Sequence, residues 1–268
     1  MTISRNFPAW IAIARTQMRI LYTYRLNMAI SIVMTGIQIY LLTVVWKAAY
    51  GDRTEVDGIS IEQMLVYLTL ANLQLRFLRP EMDDRIVERI RQGQIGFDLS
   101  RPVGYPSQLM ASAMGDMIGY LPMLVVAFPV ALIAGELRAP ASLEAGLGYV
   151  AALALAWLVA ALLNLLIGLV SFWTLEMTGF RMVYNLIGNF ATGALIPFWF
   201  MPDLLRTVMQ LLPFQAIAFV PVSIYIGEPA TGSIWTGLLL QAGWVVILIF
   251  VIRWIWARAF THTVIQGG

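Results

Sequence analysis

The chain has 268 residues, 60% of them hydrophobic and only 12% charged, with a mean hydropathy of +0.77. Soluble domains carry roughly a quarter of their residues charged, so much of this surface faces something other than water. A formal charge of +2 is too small to argue for nucleic acid; no cysteine, one histidine (His262) and one lysine (Lys47) leave almost nothing for a zinc site or a thiol nucleophile.

From the N-terminus, Ala9 to Arg25 reads as an amphipathic helix. Ile11, Ala14, Met18 and Leu21 recur at helical spacing, and Arg15, Arg19 and Thr23 take the opposite face. Such a helix suits the membrane interface; the alternative is an extension of the first spanning helix. Six apolar runs follow, near Met28–Trp46, Ile61–Leu78, Pro106–Ala134, Ala145–Thr174, Met182–Phe200 and Ile234–Trp256, and each is expected to cross the bilayer as a helix. The second is the least apolar and carries Asn72, Gln74 and Arg76 toward its end. Gln38 and Asn164 stand alone in apolar surroundings and read as packing residues. No small-residue cleavage site follows the first run, so a cleaved leader is not expected.

Basic residues set the orientation. With the N-terminus inside, 13 arginines fall on inner segments, whereas Lys47, Arg53, Arg138 and Arg206 fall outside, so both termini are expected in the cytoplasm. The outer loops are acidic instead, through Asp52, Glu55, Asp57, Glu136, Glu144, Asp203 and Glu228.

Two segments depart from simple spans. The inner loop 79–101 is the most charged stretch of the chain. Pro80 suits a first helical position, Glu81, Asp83 and Asp84 suit the positive end of the helix dipole, Arg89 and Arg91 the negative end, and Gly93 is a natural stop. Met82, Ile86 and Ile90 form a stripe at i, i+4 spacing, and a second short piece, Ile95 to Leu99, ends at Arg101-Pro102. A short amphipathic helix beside the membrane is suited to pressing on a soluble partner. The other segment, 195–227, is broken by Pro197, Pro202, Pro213 and Pro221 yet too apolar for a solvated loop. Short helices dipping into the outer leaflet reconcile the two facts, provided protein covers their broken backbone.

Few residues suggest chemistry. A P-loop needs GxxxxGK(S/T), and Lys47 is followed by Ala48, so ATP-driven work must come from another polypeptide. Asp83-Asp84 with Glu88 invites comparison with the magnesium-chelating aspartates of membrane prenyltransferases, but a helix start explains the same acids. Asp116 lies about 15 Å beyond Pro106 within a span; it is either a functional carboxylate or a structural hydrogen-bond partner. Asn185, Gly188, Asn189, Thr192 and Gly193 share one face of the fifth span, turned toward a partner subunit, a substrate path or simply a neighbouring helix.

These pieces together resemble the type-2 ABC permeases, and more closely a bacterial branch of six-helix exporter permeases. The resemblance rests on Gly93-Gln94-Ile95 with Leu99-Ser100-Arg101-Pro102, on Ile196-Pro197-Phe198-Trp199-Phe200-Met201-Pro202 followed by Leu212-Pro213-Phe214, and on the tail Val264-Ile265-Gln266-Gly267-Gly268. It implies an all-α integral membrane protein forming one permease domain over 1–268: an interfacial helix (9–25), six transmembrane helices, a cytoplasmic coupling helix (79–101) and an outer re-entrant hairpin (197–227) before the last span. The implied partners are two ABC ATPase subunits and a second permease, identical or paralogous, in a bacterial cytoplasmic membrane. ATP and magnesium would be bound by the ATPase, leaving no cofactor, metal or catalytic residue in this chain. Ile86, Ile90, Ile95 and Phe97 would supply the apolar part of the ATPase contact, with Glu88, Arg89 and Arg91 for polar registration. Asp116, Asn185, Asn189, Thr192, Phe198 and Trp199 would line the substrate path or the permease–permease interface. Two rival functions stay open at this point: a membrane enzyme acting on an isoprenoid or lipid diphosphate, and a non-transporting membrane scaffold or sensor.

Overall fold

A computed structural model describes residues 3–23, 25–78, 80, 82–174 and 177–259. His262, the Val264–Gly268 tail, Arg79 and Glu81 lie outside the described residues. The chain begins with α1 (Ile3–Thr23) and α2 (Arg25–Tyr50), then a small antiparallel hairpin of β1 (Glu55–Val56) and β2 (Ile59–Ser60). There follow α3 (Ile61–Leu78), α4 (Met82–Arg91), α5 (Ile95–Leu99), α6 (Tyr105–Tyr120), α7 (Leu124–Ala134), α8 (Leu143–Val170) and α9 (Thr178–Ala191). The last third holds α10 (Asp203–Gln210), α11 (Phe219–Tyr225) and α12 (Ile234–Ala259), with 3-10 turns at Phe198–Phe200 and Pro213–Ala216. The hairpin aside, the architecture is helical.

α8 is the post around which the bundle is built. Ser142 caps it by accepting a 3.0 Å hydrogen bond from the Ala145 N–H, and Gly148, Ala152, Ala156, Ala160, Ala161 and Gly168 keep its surface thin. Small residues let neighbouring backbones approach closely, and α12, α11 and α4 all pack on α8. At Gly168 an added Cβ would stand 2.3 Å from Ile86 Cδ1 and 3.1 Å from Asp83 Cα, which marks the crossing with α4.

By length and composition, four helices among the described residues can cross a bilayer: Leu26–Tyr50, Tyr105–Ala134 (α6, a 3-10 turn and α7), Leu143–Val170 and Ile234–Ala259. The α10–α11 pair, bent by 74°, is a fifth only if counted as one broken span. Leu26, Met34, Leu41, Val125, Ile133 and Phe250 are exposed on these helices, an arrangement that water penalises and lipid accepts. α3 occupies the run expected for the second span but is less apolar; from Met64 to Asn72 it is buried by its neighbours.

Three of the expected segments take these forms. The segment expected to be interfacial forms α1, a helix distinct from α2 that packs along α6; a Cβ on Gly115 would meet the Ala14 carbonyl oxygen at 2.3 Å. The fifth run does not continue as a helix to Phe200. α9 ends at Ala191, Gly193 adopts a left-handed φ of 77°, and Pro197 prevents resumption. The 195–227 stretch is a chain of short helical pieces whose breaks are covered by protein, while α10 itself has no buried residue.

That covering explains the polar residues of α3. Tyr67 Oη donates to the Gly193 carbonyl (2.8 Å), Asn72 Nδ2 to Ala194 O (3.2 Å), and Gln74 Nε2 to Ile217 O (3.0 Å) and Ala218 O (3.3 Å). From α12, Gln241 Nε2 donates to Ala216 O at 2.8 Å and Ala152 O at 3.0 Å. Arg206 donates to the carbonyls of Phe198, Trp199 and Met201 at 2.9, 2.8 and 3.1 Å. Broken backbone away from water must find such partners, because each orphaned group costs several kcal/mol in hydrocarbon.

Candidate functional site

The charged loop is built from its helix starts and stops. α4 opens with Asp83 and Asp84 in its first turn, and closes on Gly93, whose φ is 69°. The Gly93 N–H donates to Ile90 O (3.0 Å) and the Gln94 N–H to Arg89 O (2.9 Å), the two bonds of a Schellman stop. α5 then follows at once, and Arg89 locks it: Nε reaches Asp98 Oδ2 at 2.6 Å and Nη2 reaches Oδ1 at 2.8 Å, with Gln94 on the same guanidinium. Those hydrogen bonds donated to Asp98 hold the Arg89 guanidinium above its ordinary pKa. Arg101 adds a contact to Asp98 at 3.3 Å, and Gln108 of α6 donates to the Asp98 carbonyl at 2.8 Å.

Three further contacts fasten α4 to the bundle. Asn164 of α8 acts as a cap supplied from another helix. Its Oδ1 accepts from the Met82 N–H (2.7 Å) and the Asp83 N–H (3.0 Å), while its Nδ2 donates to Asp83 Oδ1 (3.1 Å). Arg181 of α9 pairs with Asp83 at 2.9 Å and with Asp84. Arg85 pairs with Asp116 of α6 and donates to Ser112 Oγ at 3.0 Å; Asp116 also accepts from Gln17 of α1 at 3.0 Å. The loop is thus tied to α6, α8 and α9 through polar side chains, and Asp116 links its Arg85 pair onward to Gln17 of α1.

The residues expected to touch a soluble partner divide into two groups. Ile86 is 0% exposed against Gly168, and Ile90 and Ile95 pack half-buried on the same core, so the Met82–Ile86–Ile90 stripe faces α8 and not solvent. Ile86 therefore offers no surface to a partner. Phe97 is 73% exposed, Glu88 and Arg91 are exposed beside it, and Arg89 is held inward by Asp98. Phe97 thus stands outward on a short, rigidly held turn.

The residues expected along a substrate path also separate. Asn185 and Asn189 line a cavity of about 410 Å³ between α2, α3, α8 and α9. Arg181, Asn185 and Asn189 follow one face of α9 at intervals of four; Thr35 and Gln38 face them from α2, and Asn72 and Arg76 from α3, with Asp83, Asp84 and Asn164 at the α4 end. Asp116 is absent from this lining and serves the Arg85 pair. Thr192 and Phe198 are buried, Phe198 stacking on Phe219 with centroids 4.5 Å apart, and half-buried Trp199 packs on Tyr67 and Phe219. These three hold the broken segment in place and do not border the cavity.

Gln38 and Asn164 do more than pack: Gln38 donates to Asn72 at 3.0 Å beside the cavity, and Asn164 holds the loop. Their signal in the sequence was a lone amide in an apolar run. Asp83 and Asp84, the aspartates that suggested a magnesium site, are both engaged by Arg181.

Long apolar helices, a broken segment whose backbone is satisfied by buried amides, and a polar cavity leading from a clamped charged loop define a multi-pass helical membrane protein. The chain belongs to the ABC-2 family of transporter proteins: that family's model, described as an ABC-2 family transporter protein, matches residues 32–267. Comparison with curated proteins finds no match.

Proposed function

We propose that this chain is the membrane-spanning permease subunit of an ATP-binding-cassette exporter, working as one domain with two ATPase subunits and a second permease. In this reading the chain crosses the membrane six times, through α2, α3, α6–α7, α8, α9 and α12, with the loop end in the cytoplasm and α10–α11 as the re-entrant hairpin. The chain hydrolyses nothing itself. The α4–α5 loop is the coupling element, and the cavity beside α9 belongs to the route of an amphiphilic cargo carried outward.

The observation that supports this most is mechanical. A coupling element must pass a push on without bending, and here capping and ion pairs bind α4 and α5 to three other helices, α6, α8 and α9, while leaving Phe97 outward. Asn164, Arg181 and Asp116 would carry motion of the loop into α8, α9 and α6, and so to the cavity wall.

Phe97→Asp tests the reading. It alters an exposed side chain, whereas a change at Ile90 would disturb the core and confuse docking with folding. Burying such a ring at an interface contributes roughly 1.5–3 kcal/mol, so a buried carboxylate in its place is expected to remove the co-purifying ATPase while the permease still inserts and stays monodisperse. Undiminished ATPase capture and ATP-dependent efflux by Phe97→Asp would refute Phe97 as the anchor.

A further inference from the structure

We propose that the cavity between α2, α3 and α9 receives the zwitterionic head of an amphiphile, its anionic group at Arg76 and its cationic group at Asp84. The proposal deepens the permease reading, on which it rests for treating this cavity as part of a cargo route.

The argument begins with charge. Four ionised side chains line the cavity, Arg76, Arg181, Asp83 and Asp84, and their sum is zero. They are not paired evenly. Asp83 and Asp84 share the single guanidinium of Arg181, which leaves one carboxylate charge in excess on that wall. Asp83 is further committed to Asn164, whereas the Asp84 side chain is 53% exposed and is the member open to a guest. On the α3 side of the lining, Arg76 has no carboxylate partner among the described residues. It donates to Tyr120 Oη at 3.4 Å and lies 5.7 Å above that ring, contacts that leave its charge unneutralised.

A neutral cavity with separated charges discriminates by sign at both ends. A simple anion satisfies Arg76 and meets the excess carboxylate; a simple cation does the reverse. A head carrying both charges satisfies both walls, and the amides of Gln38, Asn72, Asn185 and Asn189 share the same lining and make it polar. The volume of about 410 Å³ is in the range of small-ligand pockets and suits a head group, not a whole lipid. The tail has its own surface: α2 and α9 do not pack closely on each other, and Met34 and Leu41 on α2 and Met182 and Leu186 on α9 are exposed and apolar.

The test uses the full chain in nonionic maltoside micelles, free of zwitterionic lipid, with bound ligand counted by native mass spectrometry. Three probes share one tail: octylphosphocholine, octyl phosphate and octyltrimethylammonium. The wild-type protein is expected to bind octylphosphocholine about tenfold more tightly than either singly charged probe, the scale of one charge-assisted hydrogen bond. Arg76→Gln should shift preference toward octyltrimethylammonium, and Asp84→Asn toward octyl phosphate, while Arg76→Lys keeps the wild-type order. A reversal of opposite sign in two separate variants cannot come from general loosening of the fold. Equal binding of the three probes, or an unchanged order in both variants, would overturn the proposal. Competition by glycerophosphocholine as strong as by octylphosphocholine would overturn the amphiphile and assign a soluble zwitterion. Because no ATPase is present, these outcomes are independent of the Phe97 experiment, which tests the permease reading itself.

Discussion

Asn164→Leu is the sharpest probe of how the charged loop is held. Leucine shares the branching of asparagine and is somewhat bulkier, so the change opens no cavity at α8, yet it strips the Met82 and Asp83 N–H groups of their acceptor and Asp83 Oδ1 of a donor. Both residues are buried, Met82 at 0% and Asp83 at 6% exposure, so water reaches the Met82 N–H poorly while the loop stays docked. Loss of an N-cap costs about 0.5–2 kcal/mol and each orphaned buried donor about 1–3 kcal/mol. The Asp83–Arg181 pair survives and part of the strain relaxes, so about 2 kcal/mol is a fair net figure. That corresponds to a rise of about 30-fold in the undocked population. The natural chain contains no cysteine, which makes a single introduced thiol the only target for a maleimide. With Met82→Cys as reporter, the labelling rate in mild detergent is expected to rise by about that factor when Asn164→Leu is added. Equal rates in the two backgrounds would refute the idea that Asn164 clamps α4.

Two other predictions concern the frame around the loop and the cavity. Gly115→Val places a branched side chain where even a Cβ would lie 2.3 Å from the Ala14 carbonyl oxygen; overpacking of this kind costs about 1–3 kcal/mol, and α1 should become the first site of limited proteolysis. Unaltered protection of α1 would show that the helix does not depend on this crossing. Gln74→Leu removes the donor to the Ile217 and Ala218 carbonyls and the acceptor for Tyr149 Oη, so the thermal midpoint should fall, with the first cleavage moving to the segment between α9 and α11. A midpoint equal to that of the wild type would argue that these carbonyls find other partners.

The legibility of the chain varied with the range of the interaction. Pro106–Ala134 and the last span were readable because apolar length and proline position are local, and they fall within a few residues of α6–α7 and α12. The stop of α4 at Gly93 was readable for the same reason. The fifth run misled because Phe190 to Phe200 stays apolar past the point where the helix ends; only the left-handed Gly193 and the burial of Pro197 and Phe198 show why it can end there. The stripe Met82, Ile86 and Ile90 was correct as a stripe and wrong as a surface, since periodicity identifies a face without saying what covers it. Asp116 and Asn185 looked equally conspicuous in the sequence, yet one closes an ion pair on Arg85 and the other lines the cavity.

Composition and local pattern determined that the chain lies in a bilayer, where its long helices run, that α4 is short and amphipathic, and that residues 195–227 are broken. They could do so because those properties depend on hydrophobicity, backbone freedom and charge within a few residues. Tertiary structure alone decided which buried amides serve the backbone and which face a cavity. Gln74 meets Ile217 across 143 residues of sequence, Asn72 meets Ala194 across 122, and Asn164 meets Met82 across 82. A polar side chain in an apolar run announces that it needs a partner, but the partner is chosen by how the helices pack.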